Sequence, residues 1–213
     1  GTFIEQKGHT TDLVTEESVK WLSEIRNKNQ NFYLQVAYSA PHFPLQEEEK
    51  WKTPYNKIAK DSSRRDYDAA MAHLDYSIGI LLDNLKKQNL DKNTLIIFMS
   101  DNGAMENWDA TNQYGGSHKS NTTLGDNTPL RDWKTSNYEG AVRVPCIFYW
   151  KDHLKSYKNS DYISVIDFLP TILSLSSSEK IPETVEGVNI WNEIKTNKEI
   201  KKRTIYIRGH KQA

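Results

Sequence analysis

The sequence predicts an α/β fold with a mainly parallel sheet flanked by helices, and three observations carry that prediction. Two short runs, 94–100 (TLIIFMS) and 144–150 (VPCIFYW), are almost continuously apolar, as strands covered on both faces are. The stretch 67–87 repeats apolar residues at three-and-four spacing, the mark of an amphipathic helix. Strand-like and helix-like segments alternate along the chain, which is the pattern of parallel strands joined by right-handed crossovers.

The elements follow in order. Thr15 is positioned to cap a first helix, with Glu16 and Glu17 in its first turn and Val19, Leu22 and Ile25 on its buried side. Residues 32–39 (FYLQVAYS) are aromatic and β-branched and stop at Ala40-Pro41, which predicts a strand. The helix over 67–87 turns Tyr67, Ala70, Met71, Leu74, Ile78, Leu81, Leu82 and Leu85 inward, and Lys86 and Lys87 complement its C-terminal dipole. His73 and Asp75 fall on its partly exposed side. The apolar runs 94–100 and 144–150 form two core strands, with Pro145 near the start of the second. A further helix covers 161–175 through Ile163, Ile166, Leu169 and Leu173, and 204–207 (TIYI) reads as a short fourth strand. Between the core strands lies a Gly/Asn/Thr-rich loop, 104–129, of a length that inside a compact domain serves function.

Composition narrows the function classes. The 213 residues hold 28 basic and 28 acidic side chains, so no global charge draws the chain to nucleic acid or to an anionic membrane. No apolar run approaches the roughly 18 residues of a membrane span. The single cysteine, Cys146, excludes an internal disulfide and sits in an apolar strand as an inert thiol. The chain opens Gly1-Thr2-Phe3 without an initiator methionine and ends at 208–213 just after a strand-like run. Both ends read as cut from a longer protein.

Ligands of parallel sheets gather beyond the carboxyl ends of the strands. One predicted strand ends Ala40-Pro41-His42-Phe43-Pro44 and another Ser100-Asp101-Asn102-Gly103. If the two run parallel, His42 and the pair Asp101-Asn102 share an edge. Asp-Asn-Gly alone is a turn signal, but here no strand follows at hairpin distance. A carboxylate beside an amide carbonyl offers two hard oxygen donors, suited to Ca²⁺ or Mg²⁺. Lys134 follows the long loop and precedes Tyr138-Glu139-Gly140, whose glycine predicts a tight bend; Glu139 and Arg143 are spaced to pair. Trp108, Tyr114 and His118 lie in the loop itself. Asn121-Thr122-Thr123 spells a glycosylation sequon.

Taken together, segments 33–46 (YLQVAYSAPHFPLQ), 67–87, 93–104 (NTLIIFMSDNGA), 125–145 (GDNTPLRDWKTSNYEGAVRVP), 167–175 (DFLPTILSL) and the Gly-Val-Asn-Ile at Gly187 resemble the sulfatase family, arylsulfatase A and B type, in the alkaline-phosphatase-like superfamily. The resemblance implies an alkaline-phosphatase-like sandwich, incomplete at both ends, with 1–213 forming the C-terminal portion of one catalytic domain. It implies that Asp101 and Asn102 ligate a divalent cation, usually Ca²⁺. By the same resemblance His42 contacts the sulfate or the leaving oxygen, and Lys134 binds the sulfate. The family nucleophile, a formylglycine made in Cys-x-Pro-x-Arg, does not match Pro145-Cys146-Ile147, so it is expected upstream with the remaining metal ligands. Ala141 stands where a second glycine often follows the glutamate matching Glu139. The implied substrate is a small-molecule or carbohydrate sulfate ester, hydrolysed by an exported enzyme, with this chain alone inactive. Two alternatives stand beside it: a metal-dependent phosphatase or phosphodiesterase on the same scaffold, disfavoured because Asn102 stands where a zinc-binding histidine would, and a sulfatase-like binding protein without turnover.

Overall fold

The computed structural model describes residues 5–109, 111–176 and 181–207; the terminal run 208–213 lies outside them. In chain order the elements are α1 (Thr10–Lys20), a π-helical turn (Trp21–Ile25), α2 (Glu49–Lys52) running into a 3₁₀ turn (Thr53–Tyr55), and α3 (Ser62–Lys87). They continue with β1 (Ile96–Met99), α4 (Glu139–Val142), β2 (Cys146–Tyr149), a 3₁₀ turn (Val165–Asp167) leading into α5 (Phe168–Ser176), and α6 (Trp191–Thr196).

The fold is α/β, but the expected sandwich around a mainly parallel central sheet is not what forms. The sheet among the described residues has two strands, β1 beside β2. Residues 32–39 are extended, and their side chains alternate between half-buried and exposed as a strand's do. They pair with no ladder, however. Tyr38 is held by its side chain instead, through a hydroxyl contact of 2.9 Å with Thr15. Residues 204–207 likewise lie outside any strand. Extended propensity is a local property, whereas a strand needs a neighbour to receive its backbone hydrogen bonds. The two strands that do form keep one face open: Phe98, Ile147 and Tyr149 are exposed.

The long helix forms as predicted and starts earlier. Asp61 caps it, its carboxylate accepting the Arg64 amide at 2.8 Å. That hydrogen bond, followed by one from the Thr123 hydroxyl, holds the Asp61 carboxyl below its usual range. The buried stripe of α3 is narrower and more polar than the apolar pattern suggests: Ser63, Ala70, His73, Leu74, Ser77 and Leu85 are buried, while Met71 and Leu82 are exposed. Helix α1 also begins before Thr15, with His9 at its cap. Thr15 sits inside, its hydroxyl donating to the Thr11 carbonyl at 2.7 Å. The face that α1 buries is Thr11, Thr15 and Ser18, continued by Leu22. Ile25, expected inside, is exposed.

Contacts divide the described residues into two compact units, one within 5–91 and 98–147, the other within 92–97 and 148–207. Within the first, α1 and α2 pack against α3. The second is built around Ile190, Ile194 and Ile200, with Phe148, Leu154, Ile163 and Trp191 packed on them. Its helix α5 turns Pro170 and Thr171 inward and leaves Leu169 exposed, the reverse of the periodicity reading. The reason is Asp167, fully buried just before the helix. Its carboxylate accepts the amides of Ser164 and Val188, each at 3.0 Å, and pairs with the Arg203 guanidinium. Satisfying that charge fixes the rotation of everything after it.

Removing one partner of a buried pair leaves an uncompensated charge. Asp167→Ala is therefore expected to lower unfolding free energy by about 3 kcal/mol, read as a shifted urea midpoint. Asp167→Asn, which keeps one acceptor, is expected to cost less.

Candidate functional site

β1 delivers Ser100-Asp101-Asn102-Gly103 as a turn, closed by the Ser100 hydroxyl donating to the Asn102 carbonyl at 2.8 Å. Gly103 is buried, and its amide donates to the Ala141 carbonyl at 2.7 Å. A Cβ at Gly103 would lie 1.7 Å from the Gly140 carbonyl oxygen, and one at Gly140 would lie 2.0 Å from that of Asp132. Three backbone segments thus stack where no side chain fits. The Asn127 amide stitches them: its oxygen accepts from the Ala104 amide at 3.0 Å, and its nitrogen donates to the Ala104 and Asp132 carbonyls at 3.1 and 3.2 Å. The Lys134 amide then donates to the Ala104 carbonyl at 3.0 Å.

This stack ties the Lys134 backbone to Ala104, two residues beyond Asn102. Asp101 is exposed, Asn102 and Lys134 half-buried. No carboxylate pairs with the Lys134 ammonium group among the described residues. Arg131 is occupied otherwise, its guanidinium 3.6 Å from the centre of the Tyr138 ring. Glu139 and Arg143 form the expected exposed pair at 3.2 Å.

His42 belongs to a second knot. Its Nδ1 donates to the Phe43 carbonyl at 2.7 Å, which leaves Nε2 as the atom able to act outward. The loop 104–129 folds onto it. Trp108 stacks on buried Phe43 at 5.4 Å, and Tyr114 meets His42 edge-on at 5.8 Å. His118 meets Phe43 edge-on at 5.6 Å. The loop is ordered by an antiparallel bridge between Trp108 and Asn121 and is tied to the start of α3 through Arg64 to the Leu124 carbonyl at 2.7 Å. Asn121, the sequon residue, is buried and its amide nitrogen donates to the Lys119 carbonyl at 3.1 Å, so the folded loop offers no room for a glycan there. Described contacts join Ala104 of this loop to Lys134, and Trp108 to His42; none joins His42 directly to Asp101.

The structure also places a metal-donor group that the sequence reading missed. His9, Glu47 and His73 each present a ligand atom, all within 4.8 Å of one another. His73, expected on the partly exposed side of its helix, is buried with Glu47. This corrects the cofactor expectation of Ca²⁺ with a formylglycine upstream. The donor group lies in residues 9–73 of this chain, and two imidazoles beside one carboxylate are the donors of zinc-class ions, not of Ca²⁺, which takes six to eight oxygens. The three residues stand 38 and 26 positions apart in the sequence, so no local spacing announces them.

Cys146 takes no part. Burial pushes its thiol up to about 11, the opposite of what a nucleophile needs.

Comparison with known proteins places this geometry. The family model described as Sulfatase matches residues 1–178. Among curated proteins, the chain is 27% identical over 213 residues to the uncharacterized sulfatase YdeN of Escherichia coli, covering 97% of this chain and 35% of that protein. It is 27% identical over 206 residues to the mouse N-acetylgalactosamine-6-sulfatase, covering 96% and 36%. Among solved structures, Ps i-CgsB in complex with k-i-k-neocarrahexaose superposes with a TM-score of 0.80 at 32% identity, covering 93% of this chain and 41% of that one. The chain therefore spans about a third of the length of these curated relatives.

Three outcomes test this packing. Gly103→Ala is expected to destabilise by about 1–3 kcal/mol through forced backbone separation, read by thermal unfolding. Gly79→Ala, in α3 with nothing within 4 Å of the added carbon, is expected to gain a few tenths to about 1 kcal/mol. Iodoacetamide at pH 8 is expected to label Cys146 about a hundredfold more slowly than an unperturbed thiol, followed by mass spectrometry. Because the folded thiol holds its proton up to about 11, its contribution to stability is fully present below the unfolded pKa near 9 and is lost as pH rises through the folded value.

Proposed function

The chain belongs to the sulfatase family, and from that premise we propose that it supplies the oxyanion-binding side of a metal-assisted ester hydrolase. The observation that supports the reading is the backbone stack that ties Lys134 to Ala104, just beyond Asp101-Asn102. An ester of a strong oxyanion passes through a transition state rich in negative charge, and a fixed ammonium group beside a cation site is what stabilises it. In this reading Asp101 and Asn102 give two oxygen donors to a divalent cation and Lys134 takes the oxyanion. His42, with Nδ1 committed to Phe43, presents Nε2 to the leaving oxygen. Trp108, Tyr114 and His118 then form the wall against which the rest of the substrate rests.

Two esters fit this arrangement. A carbohydrate sulfate ester is supported by the relatives, among them a sulfatase named for a 6-sulfated amino sugar and a solved structure holding a carrageenan-type oligosaccharide. A phosphate ester is the second reading, supported by zinc-type donors in this chain if that ion serves the reaction. Those donors are His9, Glu47 and His73. Among the described residues no helix is long and apolar enough to cross a membrane. Export of the whole protein is carried over from the family.

Assays of the intact protein with a sulfated monosaccharide and with the matching phosphate monoester test the reading. Lys134→Ala is expected to lower kcat/KM by about 10²–10³-fold and His42→Ala by about 10²-fold, with both proteins folded. Unchanged rates in both variants sink the site. Preferential turnover of the phosphate ester moves the assignment to the second reading.

A further inference from the structure

The cluster at His9, Glu47 and His73 is more completely built than three donors alone. His73 stands between two carboxylates. Its Nδ1 lies 2.7 Å from Glu47 Oε2, and its Nε2 lies 2.9 Å from Asp12 Oδ1. His9 Nε2 lies 3.4 Å from the other Glu47 oxygen. The two imidazoles face each other with centroids 4.7 Å apart. Trp51 stacks on His73 at 4.5 Å and 14°, and closes one side. The Glu47 and His73 side chains are 2% and 1% exposed. His9 caps α1, Asp12 lies in its first turn, Glu47 precedes α2 and His73 lies midway along α3.

We infer that His9, Glu47 and His73 bind one zinc-class divalent ion that fastens α1 and the segment before α2 onto α3, with Asp12 orienting His73, in a structural and not a catalytic role. Three features carry this. Histidine ligands characteristically donate their second ring N–H to a carboxylate, and Asp12 stands at that position. Charge balances: two neutral imidazoles, Glu47, Asp12 and one divalent ion sum to zero, whereas without a cation a buried carboxylate must be neutralised in another way. Three residues leave a fourth position on a tetrahedral ion, which the second Glu47 oxygen or a water fills. Glu47 and His73 lie too deep, with Trp51 stacked on the His73 ring, for an ester to reach it, and that argues the structural role. The inference rests on the sulfatase-family reading above, and a structural ion at this site removes the donor group's support for the phosphate ester.

The same contacts also describe an ion-free alternative in which His73 is an imidazolium shared by Glu47 and Asp12. Metal analysis of the intact protein separates the two. After chelation and dialysis, Zn²⁺ titration followed by elemental analysis and thermal unfolding is expected to give one zinc per chain and a higher Tm. His9→Gln and Glu47→Gln are expected to abolish both effects. Asp12→Asn is expected to weaken zinc binding by about 10–100-fold. Asp101→Ala is expected to leave this zinc and its stabilisation in place. Because His9 is the most exposed ligand, a folded His9→Gln, verified by circular dichroism, guards against loss through misfolding. No zinc uptake, uptake unchanged in both His9→Gln and Glu47→Gln, or loss of the ion in Asp101→Ala overturns the inference. Zinc binding with no ester turnover removes the functional reading alone; turnover without this zinc removes the structural ion alone.

Discussion

The constraint on which the site depends is the contact of bare backbone between Gly103 and Gly140. The Gly103 amide reaches the Ala141 carbonyl, with no volume for a Cβ on either glycine. Once those segments touch, Asn127 can grip both sides of Ala104, and Lys134 can hang from the same carbonyl. Each bond is an ordinary one, worth of the order of 1 kcal/mol net. Their joint effect is geometric: the backbone of a residue thirty positions further along is held against Ala104, just beyond the turn. Two glycines and one asparagine therefore do more to make a site here than the side chains that would act in it.

A second economy recurs across the molecule, in which buried charge, not apolar surface, sets the orientation of helices. Asp167 fixes α5 in one unit. In the other unit, Glu47 and His73 lie under Trp51 where a periodic apolar pattern would place hydrocarbon. Such groups are stable only when completely partnered. Their partners come from distant parts of the chain: Arg203 for Asp167, and His9 and Asp12 for the Glu47–His73 pair.

This explains what could be read from the sequence. The long helix, both apolar strands and the Asp101-Asn102 turn each rest on local chemistry, and each is present, whereas Gly140 lies inside the short helix α4 and not at a bend. Residues 32–39 have the local preference of a strand and its alternating burial, but a ladder needs a partner that propensity cannot specify. The inward face of α5 was misread because apolar periodicity ignores a buried carboxylate next to the helix. Asn127 and the His9–Glu47–His73 group gave no signal at all, since their meaning arises only when segments tens of residues apart meet. The calcium expectation fell for the same reason: it followed a resemblance at one turn, while the donors gathered elsewhere are nitrogen-rich.

The proposed function combines Lys134 with the Asp101-Asn102 turn in a chain of the sulfatase family. Trp108 and Tyr114 pack on His42, and in the proposed reading they form the wall that a substrate meets. The most direct test of this account is where an oxyanion binds. A crystal of the intact, metal-loaded protein soaked in tungstate gives a strong anomalous signal at that position. The account predicts tungstate against the Lys134 ammonium group, beside the Asp101-Asn102 turn, with His42 Nε2 facing it. Tungstate bound elsewhere, with Lys134 turned to solvent, would contradict it.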